Sequence, residues 1–177
     1  MPALPALPAL SAFATPKSAQ FHAVSLSVAA VAGIATLGVT SVMLPPPAMF
    51  LGWAAFNLAG DDLRGGLANT VSHLLGLALG AGTALLIGAM TPALGLLATP
   101  LAVIGVVIVV LSLREVAPIN NPLAYFLGLT SFFYSGLAPS ASTLAVLGSA
   151  AVIGGAACAI AAFAQDAVAR AGEVRHA

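Results

Sequence analysis

Seven polar or aromatic side chains inside apolar runs are the residues of this chain that could act on a solute. They are Phe56, Asn57, His73, Thr130, Ser131, Phe132 and Tyr134. Neutral donors and acceptors with aromatic rings can replace the hydration shell of an uncharged polar solute, whereas a fixed ion usually calls for charge or converging carbonyl groups. These residues predict a path for a small uncharged or weakly polar solute, with Phe56 and Phe132 as its constriction.

The hydroxyl-bearing residues also have a structural interpretation. Ser and Thr in membrane helices commonly bond across helices or back to their own turn. It is the clustering that favours a path, because further neutral polar residues lie nearby. These are Asn69, Thr70, Ser72, Tyr125 and Ser135.

His73 is the one titratable side chain well inside a predicted membrane span. Imidazole titrates near neutral pH, which suits a gate on the cytoplasmic side or a proton relay. A place near the membrane interface, or a hydrogen bond to a neighbouring carbonyl, is the structural alternative. The acidic residues all lie in loops or the tail, so coupling to protons or sodium through a buried carboxylate is not expected. They are Asp61, Asp62, Glu115, Asp166 and Glu173.

Enzyme motifs are missing from the sequence. It contains no His-Glu-x-x-His, no Gly-x-Ser-x-Gly with a partnering acid and no P-loop. The single cysteine, Cys158, can form neither an internal disulfide nor a cysteine-based metal site. We therefore expect no catalysis, no cofactor and no metal.

The elements that position these residues are helices in lipid. Of 177 residues, 60% are hydrophobic and only 6% are charged, and the mean hydropathy is +1.09. Soluble domains carry about 25% charged residues, so an ordinary soluble enzyme is excluded. The net charge is zero, without a run of like charges, which excludes nucleic-acid binding. The lipid bilayer is the expected partner.

Six apolar runs are predicted to cross the membrane. Four are long enough, at roughly 20 residues, to span a hydrocarbon layer of about 30 Å, and two are shorter. The long runs are residues 21–44, 67–90, 93–113 and 140–164, and the short ones are residues 47–60 and 122–136. The short runs could instead be re-entrant half-helices.

Charge placement favours six full crossings. In that arrangement all five basic residues fall on one face, whereas re-entrant short runs would divide them between the two faces. They are Lys17, Arg64, Arg114, Arg170 and Arg175. This positive-inside pattern predicts that both termini are cytoplasmic.

Two terminal segments flank the membrane domain. Residues 1–20 place Pro2, Pro5 and Pro8 at the three-residue period of polyproline II, which predicts a mobile tail. A cleaved secretory signal is the competing interpretation, but it matches poorly because Lys17 is the only charge before a long apolar run. Residues 165–177 are expected to form a cytoplasmic tail.

The two short runs repeat each other. Phe50-Leu51-Gly52-x3-Phe56-x3-Gly60 recurs as Phe126-Leu127-Gly128-x3-Phe132-x3-Gly136, at a constant offset of 76 in the numbering, and prolines Pro47 and Pro122 open the two copies. Each copy is second in a long-short-long set, which divides residues 21–164 into repeats of about 21–90 and 93–164. Three crossings is an odd number, so the second repeat runs upside down. The predicted fold is an all-α integral membrane protein with six transmembrane helices as two inverted three-helix repeats, and such short segments point to a binding site near the midplane.

Glycines recur at helical spacing in three places. Gly52 with Gly60 and Gly128 with Gly136 flank the two phenylalanines at spacings of four, and Gly76-x3-Gly80 forms a third stripe. Small residues let helices approach closely, so plain helix packing is the structural interpretation of all six glycines. The third stripe would leave room for a homodimer.

The segment Phe50-Leu51-Gly52-Trp53-Ala54-Ala55-Phe56, followed by Gly65-Gly66-Leu67, and the second copy of the motif carry a family resemblance. Over roughly residues 25 to 165 the chain resembles the small bacterial inner-membrane proteins of domain-of-unknown-function family 1097, the YcdZ-like proteins. The resemblance implies a bacterial inner-membrane location and about six helices, and it brings no established activity. The triplet Pro45 to Pro47 and the pair Asp61-Asp62 depart from the family pattern.

We therefore expect a channel-like or facilitated transporter of a small uncharged or weakly polar solute. A non-transporting accessory or assembly protein, whose small-residue faces bind partner helices, is the alternative. It predicts that Gly76→Leu or Gly80→Leu disrupts a complex without altering any flux. An ion-coupled transporter that relies on His73 would instead show pH-dependent transport that His73→Ala removes.

Overall fold

The computed structural model describes residues 16–60 and 62–174, and the elements in that part of the chain are helical. The α-helices are α1 (Pro16–Ser41), α2 (Pro46–Asn57), α3 (Leu63–Leu94), α4 (Ala98–Ser112), α5 (Pro122–Ser135) and α6 (Ala141–Val174). Residues 1–20 are the segment predicted to be a mobile tail or, alternatively, a cleaved signal. Residues 1–15 of this segment lie outside the described residues, and α1 begins at Pro16. Helix α6 continues well past the predicted end of the last span.

Three stretches of the described chain are long and apolar enough to cross a membrane. They are Gln20–Ser41, Leu63–Glu115 and Ala141–Ala171. The middle stretch contains both α3 and α4. The expectation of an all-helical fold with helices able to cross a membrane is confirmed for the described residues, while six crossings and the inverted repeat stay predictions.

Helices α3 and α4 form a hairpin. Only a three-residue turn separates α3 from α4, and residues between Leu75 and Leu86 of α3 line the same groove as residues between Ala102 and Val109 of α4, so the two helices are antiparallel. The turn is a 3₁₀ helix that begins at Gly95, whose φ of +52° suits a residue without a Cβ. The sequence places the break at Thr91–Pro92, but α3 continues through Pro92 to Leu94, because membrane helices tolerate proline where the freed backbone groups are satisfied locally.

The direction of the chain alternates from helix to helix. Gln20 Nε2 donates to the Ala169 carbonyl oxygen at 3.3 Å, which sets the start of α1 beside the end of α6. We call the end with the starts of α1, α3 and α5 the charged end, because the described charged side chains lie there. They are Asp62, Arg64, Arg114, Glu115, Asp166 and Arg170. The uncharged end holds the starts of α2, α4 and α6.

Helices α2 and α5 are short, and their sequences explain why. A proline occupies the first turn of each, where its missing N–H costs no hydrogen bond. Gly136, at φ +64°, ends α5 in the left-handed conformation, and Gly60, at φ +61°, follows the end of α2. At 12 and 14 residues the two helices are about 18 and 21 Å long.

The main core lies where α1, α2, α3, α5 and α6 meet. Val39, Met49, Leu77, Phe132 and Leu147 pack together there and are almost fully buried. A second cluster joins α4 to α5 through a different set of side chains, namely Val110, Tyr125 and Leu129. Helices from both halves of the chain therefore contribute to the main core.

Candidate functional site

Helices α2 and α5 bury equivalent faces. The buried residues of α2 are Ala48, Met49, Gly52, Ala55 and Phe56. In α5 the residues at the motif's offset of 76 are buried as well, namely Ala124, Tyr125, Gly128, Ser131 and Phe132. The offset that relates the two sequence motifs therefore also relates their buried positions.

Two pairs of helices pack with their backbones in close contact, and each such contact is here called a helix crossing. The first helix crossing joins α2 to α6. A Cβ added at Gly52 would collide with the backbone of Ala151, and one added at Gly154 would collide with the backbone of Met49. The glycines thus permit an approach that any side chain would prevent. The Cys158 Sγ donates to Asn57 Oδ1 at 3.7 Å further along the same pair, so α2 and α6 run parallel.

The second crossing joins α5 to α3 and matches the first. A Cβ at Gly128 would collide with the backbone of His73, and one at Gly76 would collide with the backbone of Tyr125. The α5 members follow their α2 counterparts by the motif's offset of 76, and the α3 members precede their α6 counterparts by a constant offset of 78. Each short helix therefore packs on the last helix of the other half at equivalent positions.

The six glycines of the predicted stripes divide into two groups. Four lie against a neighbour: Gly52, Gly76 and Gly128 against backbone, and Gly80 against the Phe132 side chain. Gly60, which follows the end of α2, and Gly136, which ends α5, are exposed in open space and do not form the packing stripe that the spacing predicts. The Gly76-x3-Gly80 stripe is occupied by α5 of the same chain, so it is not free for a second copy.

The two phenylalanines are buried far from each other. The Phe56 ring lies against Gly66, near the charged end of α3, whereas Phe132 lies against Gly80. These two glycines are almost four helical turns apart on α3, or about 21 Å. The predicted single constriction is therefore replaced by two rings towards opposite ends, because α2 and α5 are antiparallel and each ring lies near the C-terminal end of its helix.

The predicted hydrogen-bonding residues are dispersed. Asn57 is exposed at the charged end, where it accepts from Cys158. Thr130 is exposed, and Tyr134 is 73% exposed, near the uncharged end. Ser131 is buried beside them, on the face of α5 that turns inward.

Three buried polar side chains carry atoms that have no hydrogen-bond partner among the described residues. These are both ring nitrogens of His73, the hydroxyl of Tyr125 and the hydroxyl of Ser131, here called the polar trio. Leaving a buried polar group unpaired costs about 1–3 kcal/mol. His73, only 1% exposed, lies one helical turn from both Asn69 and Leu77 on the buried face of α3. The ring of His73 therefore makes no hydrogen bond to a neighbouring carbonyl among the described residues, which was one of its two structural interpretations.

Tyr125 is one of the polar residues whose clustering favours a path, but it is not one of the seven predicted to line it. Its signal is nevertheless in the sequence: it is the counterpart of Met49 at the offset of 76, on the buried face of the short helix. Among the described residues, no group of three His, Cys, Asp or Glu side chains could hold a metal ion. The hydroxyls of Tyr125 and Ser131 can each donate and accept a hydrogen bond, and the two ring nitrogens of His73 can also form hydrogen bonds.

Two cavities lie at opposite ends of the bundle. At the uncharged end, α2, α5 and α6 enclose about 320 Å³, here called the vestibule, lined by Pro45, Ala48, Ser131, Tyr134, Ser135 and Leu147 among others. At the charged end, α1, α2 and α6 enclose about 320 Å³ beside Asn57, Cys158 and Gln165. Members of the predicted path therefore lie in two separate cavities.

Residues 25–165 match the model of a protein family, DUF1097, whose description is 'protein of unknown function'. Searches of curated proteins and of solved structures gave no match.

Proposed function

We propose a transport function for this chain, which belongs to the DUF1097 family. In this proposal it crosses the bacterial inner membrane six times as two inverted repeats, α1 to α3 and α4 to α6. It conducts a small uncharged or weakly polar solute as a channel or facilitated transporter. The positive-inside rule puts the charged end, and with it both termini, in the cytoplasm.

The matched crossings support the inverted repeat. Parallel pairs α2–α6 and α3–α5 use equivalent residues, while α2 and α5 are antiparallel, as a twofold axis in the membrane plane requires. In transporters of this kind, short or interrupted segments at corresponding positions of the two halves mark the path. Here α2 and α5 are those segments.

The polar trio is the observation that carries transport. In lipid an unsatisfied polar group is more costly than in water, since no solvent can satisfy it. A protein that served only as a packed scaffold would be more stable with apolar residues at these three positions. Groups that are neutral, buried and free to bond suit a passing solute that is itself uncharged and forms hydrogen bonds.

The phenylalanines take a revised role in this proposal. Phe56 and Phe132 each fill the space beside a glycine of α3, towards opposite ends of the bundle. We propose that each ring limits access from its own end. The double variant Phe56→Ala with Phe132→Ala should widen or abolish selectivity while the protein still inserts.

The experiment is osmotic swelling of proteoliposomes with a panel of small neutral solutes. Light scattering reports the swelling, and empty liposomes give the baseline. His73→Leu should reduce any protein-dependent rate, whereas Thr36→Val should leave it unchanged, because the Thr36 hydroxyl donates to the Ala32 carbonyl of its own helix. No permeation by any solute, with folding confirmed, would remove the support for transport.

One observation favours the alternative of an accessory protein that binds partner helices. The groove between α3 and α4 is open, has a volume of about 640 Å³ and is lined almost wholly by apolar atoms. Gly82 and Gly105 line it with open space beside them. If swelling fails, Gly82→Leu is the test, because loss of a co-purifying membrane partner would place that partner in this groove.

A further inference from the structure

The vestibule at the uncharged end has an equivalent position at the charged end. Its walls include Pro45 at the start of α2, Leu147 of α6 and Ser131 of α5. By the offsets of the two crossings, their counterparts are, in the same order, Asn121, Asn69 and Ala55. Any structural difference between the two sets is therefore a difference between the two ends of the path.

Two of the counterpart residues at the charged end are hydrogen-bonded to each other, whereas the vestibule at the uncharged end is open. Asn121 Nδ2 donates to Asn69 Oδ1 at 3.1 Å, which connects the start of α5 to α3. Ala55, the counterpart of Ser131, is fully buried. Pro45 has no side-chain donor and Leu147 no acceptor, so no such bond can form across the vestibule.

Asn121 is held in place for this contact by a second hydrogen bond. Its Oδ1 accepts from the Leu123 backbone N–H at 3.1 Å, which caps α5. The oxygen is thereby directed at the helix, and the amide nitrogen is left to face Asn69. A neutral amide pair also suits a contact that must break and re-form, because opening it leaves no charge in lipid.

The vestibule contains one buried polar atom that points to a ligand. Ser131 lines it and is 2% exposed, and its hydroxyl has no hydrogen-bond partner within residues 16–60 and 62–174. The exposed Tyr134 and the half-buried Ser135 stand at the same opening. The site offers neutral hydroxyl groups on an apolar wall, which fits a small uncharged molecule with a polar end.

We propose that the vestibule is the solute-binding site of an outward-open state and that the Asn69–Asn121 pair is the gate closing the equivalent site at the charged end. This inference rests on the proposed transport function and names its binding site and its closed end. In the opposite state the amide pair separates and the walls at Pro45 and Leu147 come together. Because one hydrogen bond of ordinary strength holds the gate, its loss should shift the balance of the two states by about five- to tenfold.

The test measures access to a single thiol in the full-length protein in lipid nanodiscs, where both ends meet solvent. Cys158→Ser gives the background, and Ser131→Cys or Ala55→Cys supplies the matched thiols. The probe is a small positively charged methanethiosulfonate reagent. We expect Ser131→Cys to react about tenfold faster than Ala55→Cys, because only the vestibule is open. Equal rates in the two variants would overturn the proposal.

The gate is then tested by variants that remove the amide pair. Asn121→Ser keeps a capping oxygen but is too short to reach Asn69, and Asn69→Leu installs the residue of the open end. Each should speed the reaction of the Ala55→Cys thiol about fivefold. Gln20→Ala is the matched control: it removes another interhelical bond at the charged end, from Gln20 to Ala169, and should change nothing.

The outcomes separate the gate from transport itself. Thiol access needs no permeating solute. Faster reaction in the gate variants, without permeation in the swelling assay, would therefore contradict the proposed transport function but not the gate. An unchanged Ala55→Cys rate in both gate variants, with circular dichroism matching the parent, would overturn the gate even if swelling is observed. Faster reaction in Gln20→Ala would also overturn it, because the effect would then be general loosening of that end.

Discussion

Substitution of Gly52 by Ala tests the crossing of α2 and α6 most directly. On helix propensity alone, Gly→Ala stabilises a helix by about 0.5–1 kcal/mol. At Gly52, however, the new methyl group would meet the backbone of Ala151, which belongs to a packed helix and cannot rotate away. Overpacking of this kind costs about 1–3 kcal/mol. With a collision against backbone at the upper part of that range, we expect a net loss of about 2 kcal/mol in the free energy of unfolding.

Gly38→Ala is the control for this experiment, and the fluorescence of Trp53 is the probe. Gly38, in α1, has nothing within 4 Å of an added Cβ, so Gly38→Ala should be neutral or stabilising by up to about 1 kcal/mol. Trp53 is the single tryptophan of the protein and its backbone N–H lies against Gly154. Its fluorescence should therefore report separation of α2 from α6 as the fraction of sodium dodecyl sulfate in mixed micelles rises.

If Gly52→Ala and Gly38→Ala unfold at the same detergent fraction, close backbone contact does not hold α2 on α6. Gly128→Ala should show the same loss as Gly52→Ala, because it meets the backbone of His73 in the matching crossing. A large loss at one crossing only would mean that the two are not energetically equivalent.

Three further predictions use the same unfolding measurement. Gly136→Ala should lose about 1 kcal/mol because a φ of +64° disfavours a side chain, and Gly136→Asn should lose less because Asn tolerates this conformation; equal loss for both would contradict that cause. Phe132→Ala should lose about 3–5 kcal/mol by leaving a cavity, whereas Tyr134→Ala, at an exposed side chain, should change stability by less than about 0.5 kcal/mol. Tyr125→Phe should raise stability by about 1–3 kcal/mol, because it removes a fully buried hydroxyl that has no hydrogen-bond partner among the described residues; a less stable variant would mean that this hydroxyl is satisfied in the protein.

The sequence predicts helix type and order better than helix ends. Apolar run length identifies the helices. The family, the all-helical fold of the described residues and the presence of helices able to cross a membrane are confirmed. The α3–α4 boundary shows where local rules fall short. Pro92 is expected to break the helix, but the turn comes at Gly95, since a proline near the end of a membrane helix leaves few backbone groups to satisfy.

Part of the site follows from spacing and part depends on which helices pair. The offset of 76 between the short helices locates the buried faces that carry Gly52 and Gly128, and it would also have identified Tyr125 from Met49. The Asn69–Asn121 bond joins residues 52 positions apart on helices whose pairing no local pattern encodes. Similarly, the separation of Phe56 from Phe132 depends on the antiparallel arrangement of α2 and α5.

The crossings between halves have a consequence for synthesis of the protein. Gly52 packs on Ala151, so α2 is made about 100 residues before its partner, or roughly 5–20 s earlier at ordinary rates of translation of about 5–20 residues per second. During that interval the 12-residue helix, about 18 Å long, lacks its partner α6. Until the last helix is made, α2 can pack only on the helices that precede α6, which it also contacts in the folded protein.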